Sequence, residues 1–214
     1  MIDYSNFPNY KSILCLNGEL PNAEFFINQS KPIIAADGAA KKLVVLGINP
    51  TVIVGDFDSI NPSDFSNIKM IHLPNQDKSD FQKTIEYMEQ QNLLPTIVCG
   101  VNGGFLDHIL HNISVVVEKN CVFFAPPLIG YVLKKSEPLE LNLIKNTKIS
   151  IIGMPKAVVK SDGLKWELEE SLLEFPGNSS YYNRTVTNNV SIQVLEGNAL
   201  ILIYSEEIKD NGIL

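Results

Sequence analysis

Over its first 125 residues the chain repeats one pattern: a short apolar β-rich run, an acidic or glycine-rich break, then a helical stripe. The runs at 12–16, 32–36, 51–54, 69–73, 96–99 and 121–125 are short and largely apolar, as strands buried on both faces are. Between them the sequence predicts helices over 38–46, 79–91 and 106–119. The first stops at Gly47, a residue suited to a helix C-terminus. The second opens on Ser79-x-x-Gln82, a capping box, and sets Phe81, Ile85 and Met88 at helical spacing. The third carries Ile109, Ile113, Val116 and Val117 along one stripe. Alternation of this kind predicts an α/β domain with a doubly wound, mostly parallel sheet and right-handed crossovers.

The pattern changes after Pro126-Pro127. Short strands are expected over 139–144, 148–154, 164–168, 190–195 and 199–204, punctuated by Gly and Asn, with no helical stripe of useful length. Such spacing predicts a smaller all-β domain, sandwich-like or barrel-like. The expected division is 1–130 for the α/β domain and 131–214 for the β-rich one.

Charge narrows the partners. The chain holds 24 acidic residues against 17 basic ones, a net charge of −7, and Arg184 is its one arginine. Without a basic cluster to release counterions, nucleic acid is not an expected partner. No apolar run approaches the ~20 residues that span a bilayer, so no membrane partner is expected either. Residues 1–12 show neither the basic nor the apolar region of a signal peptide. Cys15, Cys99 and Cys121 fall in apolar runs with no CxxC pair and read as buried free thiols, which points to a cytoplasmic protein.

Four motifs follow predicted strands: Asp37-Gly38, Gly55-Asp56-Phe57-Asp58-Ser59, Asp77-Lys78-Ser79-Asp80, and Gly103-Gly104 leading to Asp107-His108. Open α/β sheets bind ligands outside the carboxyl ends of their strands, and all four motifs fall on that edge. Asp56 and Asp58 can aim at one point, where two carboxylates ~4 Å apart repel by about 4 kcal/mol at an effective dielectric of about 20. A hard divalent cation relieves that repulsion, and Mg²⁺ takes carboxylates together with substrate phosphates. Asp80 supplies a third ligand, leaving Asp37 and Asp77 for supporting or substrate-binding roles. Lys78 is the best phosphate-binding ammonium; Lys41 and Lys42 are weaker candidates, because their positions suit decoration of an exposed helix face. No His/Cys set has zinc spacing, and no P-loop or kinase glycine loop is present. Each motif also has a plain structural use: Asp37 before Gly38 as an N-cap, Asp-x-Asp as a turn, Ser79 and Asp80 as helix caps, Gly103-Gly104 as a tight turn.

These motifs, with Asn112 after Asp107-His108, resemble in order and spacing those of the thiamine pyrophosphokinases. Gly163-Leu164-Lys165-Trp166 and Ser180-x-x-Asn183 are similar to motifs of that family's C-terminal thiamine-binding β-domain. The resemblance implies Mg²⁺-dependent transfer of a pyrophosphoryl group from ATP to the hydroxyl of thiamine, giving thiamine diphosphate and AMP. It implies Asp56, Asp58 and Asp80 around metal, and Asp37, Asp77, Lys78, Ser79, Gly103, Gly104 and Asp107 around nucleotide or substrate. Trp166, Ser180 and Asn183 would lie near thiamine, with Asp107 or Asp37 a candidate proton acceptor. It also implies a homodimer with active sites at the subunit interface. The chain departs from the family at Phe105, where arginine is usual, at Ser79 for threonine, and at Tyr182 for a small residue. Phe105 motivates an alternative, a weakened thiamine- or nucleotide-binding module. A nucleotide-sugar transferase using Asp-x-Asp is a more remote one, because it leaves Trp166 and Ser180 unexplained.

Overall fold

The burial of each strand follows from its sequence. The computed structural model describes residues 9–135 and 137–204, so most of the 1–12 stretch searched for a leader lies outside the described residues. Its first strands are β1 (Ser12–Cys15), β2 (Ile33–Ala36), β3 (Val52–Gly55), β4 (Lys69–His72), β5 (Thr96–Cys99) and β6 (Val122–Ala125). Five of these are buried at every position, which their unbroken apolar runs require. The exception is β4, exposed at Lys69 and His72, which takes a sheet edge where polar side chains discourage further pairing.

All six strands pair in parallel, in the order β6–β5–β1–β2–β3–β4. The chain therefore builds outward from β1 to β4, then returns to β1's other side for β5 and β6. That reversal puts a topological switch between β1 and β5. The helices between strands are α1 (Ala23–Gln29), α2 (Ala39–Val45), α3 (Asp80–Gln90) and α4 (Leu106–Lys119), with a 3₁₀ turn at Pro62–Phe65. The last three match the expected helices, and the capping box of α3 forms as read. Nothing in the periodicity announced α1. It has seven residues, started by the Asn22 side chain accepting from Phe25 N at 3.1 Å and anchored by buried Phe25 and Phe26. Cys15, Cys99 and Cys121 are buried and unpaired.

The chain divides into two compact units between Ala125 and Pro126. The second unit holds β7 (Leu128–Lys134), β8 (Leu139–Asn142), β9 (Lys148–Asp162), β10 (Ser171–Glu174), β11 (Ser180–Arg184) and β12 (Asn189–Tyr204), and no helix among its described residues. Every pairing within it is antiparallel. Its frame is β9 against β12 along most of their length, and the two expected strands at 190–195 and 199–204 are one strand, β12. Register shifts between Val194 and Glu196 and between Gly197 and Ala199 break its alternation, which is why it read as two. The expected strand at 164–168 supplies only a bridge, Leu164 to Thr185.

Candidate active site

Two loops leave the sheet at its switch point and lock together. After β1, Leu16 N donates to Cys99 O at 2.9 Å and Glu19 N to Asn102 O at 2.7 Å; Asn102 Nδ2 returns to Glu19 Oε2 at 3.0 Å. Gly18 lies so close to the second loop that a Cβ there would overlap the carbonyl oxygens of Asn102 and Gly100. Lys42, read from the sequence as helix decoration, reaches from α2 to the carbonyls of Asn17 (2.8 Å) and Gly18 (2.7 Å). Asn112 of α4 donates to Val101 O at 3.1 Å. The result is a cleft of about 480 Å³ at the strand ends, walled by these loops and by Asp37, Asp58, Ser79, Asp80 and His111. Gly103 and Gly104 also line it.

The carboxylates come from the ends of β2 and β3 and from the first turn of α3. Asp37 follows β2, with φ at +37°, and Gly55 lets it approach: a Cβ on Gly55 would stand 2.8 Å from the Asp37 Cβ. Asp37 does not cap α2, as its place in the sequence allowed; its Oδ2 accepts from Ser59 N at 3.2 Å, and Gly38 takes the cap position. Its Oδ1 is buried and has no partner. Phe57, between Asp56 and Asp58, also lies at positive φ, +65°, with its ring stacked on His72 at 5.4 Å.

Asp37, Asp56 and Asp58 each bring a carboxylate oxygen within 4.8 Å of the others. At that separation each pair repels by about 3 kcal/mol in an effective dielectric of about 20. A partnerless buried oxygen beside two further carboxylates fits a hard divalent cation. The grouping differs from the expected Asp56–Asp58–Asp80 set: Asp37 takes the third place, and Asp80 Oδ1 lies 2.7 Å from the Lys83 ammonium.

Burial pushes the Asp37 carboxyl above its ordinary range, opposed by hydrogen bonding from Ser59 and reinforced by the charges of Asp80 and Asp58. A raised carboxyl favours the folded state while protonated and loses that contribution as pH rises through its folded value. A cation held there must displace the proton. Adding Mn²⁺ at mildly acidic pH in weak buffer is therefore expected to release protons, and Asp37→Asn to release fewer; unchanged pH on saturation would contradict this. Asp56 behaves oppositely. Burial raises it, but hydrogen bonds from Gln76, Lys83 and the Asp58 N–H, with the Lys83 charge, outweigh that and hold it low.

The lysines are redistributed relative to expectation. Lys78, expected to meet phosphate, pairs with Glu86 at 2.7 Å on the exposed side of α3. An exposed pair of this kind is worth at most about 1 kcal/mol, so Lys78→Ala is expected to leave turnover near wild type. A loss beyond an order of magnitude, ~1.4 kcal/mol, would return Lys78 to the site. The lysine among the acids is Lys83, with Nζ 3.1 Å from Asp56 Oδ2 and 2.7 Å from Asp80 Oδ1. Its signal was present in the sequence: a lysine on the buried side of α3, one turn after Asp80 and between Phe81 and Ile85.

Of the other expected residues, Ser79 caps α3 and meets His111 Nε2 at 2.9 Å, a contact the sequence reading missed. Asp77 is exposed, its N–H bound by Asn75 Oδ1 at 2.6 Å. Asp107 is exposed at the start of α4, accepts from His108 N at 2.9 Å, and is not part of the cleft wall. Phe105 is 78% exposed and meets the His108 ring edge-on at 6.0 Å.

The second unit brings Trp166, Ser180 and Asn183 together. Asn183 Nδ2 donates to Trp166 O at 2.7 Å and Ser180 Oγ at 3.1 Å, while Oδ1 accepts from Trp166 N at 3.2 Å and Arg184 N at 2.8 Å. That uses both amide hydrogens and both lone pairs, so the buried Asn183 holds its neighbours in place and has no bond left for a ligand. Trp166 and Tyr182 remain open, with Lys165 Nζ 4.6 Å over the Trp166 ring. Tyr182 takes positive φ, +55°, where β11 shifts register against β9, and its N–H reaches Ser150 Oγ at 3.1 Å.

Comparison with known proteins gives one consistent answer. The family model "Thiamin pyrophosphokinase, catalytic domain" matches residues 23–124. Thiamin pyrophosphokinase 1 of Caenorhabditis elegans is 32% identical over 219 aligned positions, covering 91% of this chain and 88% of that one. Among solved structures, thiamin pyrophosphokinase from Geobacillus thermodenitrificans superposes with a TM-score of 0.78 at 17% identity, over 92% of this chain and 98% of its own. The yeast enzyme gives 0.77 at 16% identity, over 97% of this chain and 90% of its own.

Proposed function

The chain belongs to the thiamine pyrophosphokinase family, and from that premise we propose that it makes thiamine diphosphate by transferring a pyrophosphoryl group from ATP to thiamine. The observation that carries the reading onto this chain is the buried, partnerless oxygen of Asp37 beside Asp56 and Asp58, on the wall of a strand-end cleft. A bond forms between the thiamine hydroxyl oxygen and the β-phosphorus of ATP. The bond from that phosphorus to the oxygen bridging it to the α-phosphorus breaks, AMP leaves, and the hydroxyl proton is released.

Asp37, Asp56 and Asp58 would hold Mg²⁺, with Asp80 beside them. There it would supply positive charge against the polyphosphate, which the acidic cleft alone would repel. The interlocked loops around Gly18 and Gly100 present backbone to the nucleotide; Gly103 lets its loop close onto Glu19, and Gly104, with nothing within 4 Å of a Cβ, leaves the nucleotide room. Ser79 and His111 offer a linked hydroxyl and imidazole on the same wall. Of the two candidate proton acceptors, Asp37 lines the cleft and Asp107 does not. In the second unit, Trp166 receives thiamine, whose thiazolium is a cation of the kind an aromatic face already attracts in Lys165. Ser180 sits beside it, positioned by Asn183. The working form is a homodimer with the site at the subunit interface, to which the exposed Phe105, Leu106 and Leu110 offer apolar surface.

The test is to incubate the protein with ATP, MgCl₂ and thiamine. Thiamine diphosphate and AMP are expected in equal amounts, and EDTA is expected to stop both. Thiamine bound without turnover would favour the weakened module that Phe105 suggests.

A further inference from the structure

Lys83 is 4% exposed, and among the described residues it is the lysine buried against the carboxylate cluster. Its ammonium touches Asp56 from β3's end and Asp80 from the first turn of α3, while Gln76 donates to the same Asp56 oxygen at 2.9 Å. Lys83 is not part of the cleft wall, which Asp37, Asp58 and Asp80 line, so it is not placed to contact phosphate itself. An isolated ammonium at this depth is costly, and so are three carboxylates within 4.8 Å of one another with Asp80 alongside the same lysine. Each offsets the other.

We propose that Lys83 is a positioning residue, a tethered counter-ion that joins Asp56 to Asp80 from behind the cleft and balances their charge while no divalent ion is bound. The proposal rests on the metal-site reading above, and the experiment separates the two. A purely structural ion pair would stabilise the protein equally with and without metal. A counter-ion matters most without it, because an incoming cation supplies the same charge.

The variant is Lys83→Met, which keeps the length and loses the charge. Thermal unfolding is followed in EDTA and in saturating Mn²⁺. The melting temperature is expected to fall by about 5–10 °C in EDTA. Mn²⁺ is expected to restore most of that loss, so the metal-induced rise exceeds the wild-type rise. In EDTA, Lys83→Met/Asp56→Asn is expected to melt above Lys83→Met, since one unbalanced carboxylate is gone. Where Mn²⁺ raises wild-type melting, an equal loss with and without it would overturn the proposal; so would no loss in EDTA, or a double variant no better than the single. If Lys83→Met folds only with Mn²⁺, the proposal stands; if it folds under neither condition, a folded double variant supports it and an unfolded one overturns it. Should Mn²⁺ leave wild-type melting unmoved, the metal-site reading fails, and the double variant in EDTA still decides the role of Lys83.

Discussion

Asparagine in place of Asp37 is expected to lower thiamine diphosphate formation by about 10²–10³-fold, the usual cost of removing one preorganised electrostatic group. The change is nearly isosteric. It keeps the carbonyl oxygen that accepts from Ser59 N and the Cβ that packs against Gly55. It removes a buried negative charge that Asp58 and Asp80 already disfavour. Metal-free stability is therefore expected to hold or rise while activity collapses, and steady-state rates beside a melting curve read both. Full activity would show that the unpartnered oxygen serves no cation. An equal fall in stability and rate would show that Asp37 is there for folding.

Gly18→Ala is expected to be among the most damaging single-methyl changes in the α/β unit. The added Cβ would meet carbonyl oxygens of Asn102 and Gly100, which are backbone and cannot rotate aside as a side chain can. Lys42 holds the Gly18 carbonyl from the other side, so the loop has nowhere to retreat. Overpacking of this sort costs about 1–3 kcal/mol, which in a chain of this size lowers the melting temperature by about 2–12 °C. Separation of the two loops is also expected to raise the KM for ATP more than that for thiamine. Gly104→Ala is the control, because nothing lies within 4 Å of a Cβ there, and its melting temperature is expected to match wild type. If both variants melt alike, the interlocked loops do not shape the cleft.

What the sequence made legible follows from burial. Strands β1, β2, β3, β5 and β6 are buried throughout, so their apolar runs were unbroken and their placement close. The acidic motifs could be assigned to one edge because parallel strands all end on the same side. By contrast, α1 is too short for a stripe, and β9 and β12 are long strands whose irregularities disguise their continuity.

Within the site, residue types were readable and their partners were not. Lys78 and Lys83 flank the same aspartate in sequence, and only the start of α3 decides that one faces Glu86 and the other Asp56. Asp37 looked like a cap because it precedes a helix; the positive φ and the bond to Ser59, 22 residues away, depend on β2 lying beside β3. Asn183 shows the same limit. Its spacing from Ser180 was visible, but its complete internal satisfaction depends on the long-range approach of Trp166.

The most direct test of the whole account follows the β-phosphorus of ATP. The protein is given thiamine, Mg²⁺ and ATP labelled at that atom, and the products are separated. The label is expected in thiamine diphosphate, with one AMP for each molecule formed, and the transfer is expected to vanish in Asp37→Asn. Label recovered in ADP, with thiamine carrying a single unlabelled phosphate, would contradict pyrophosphoryl transfer at this cleft.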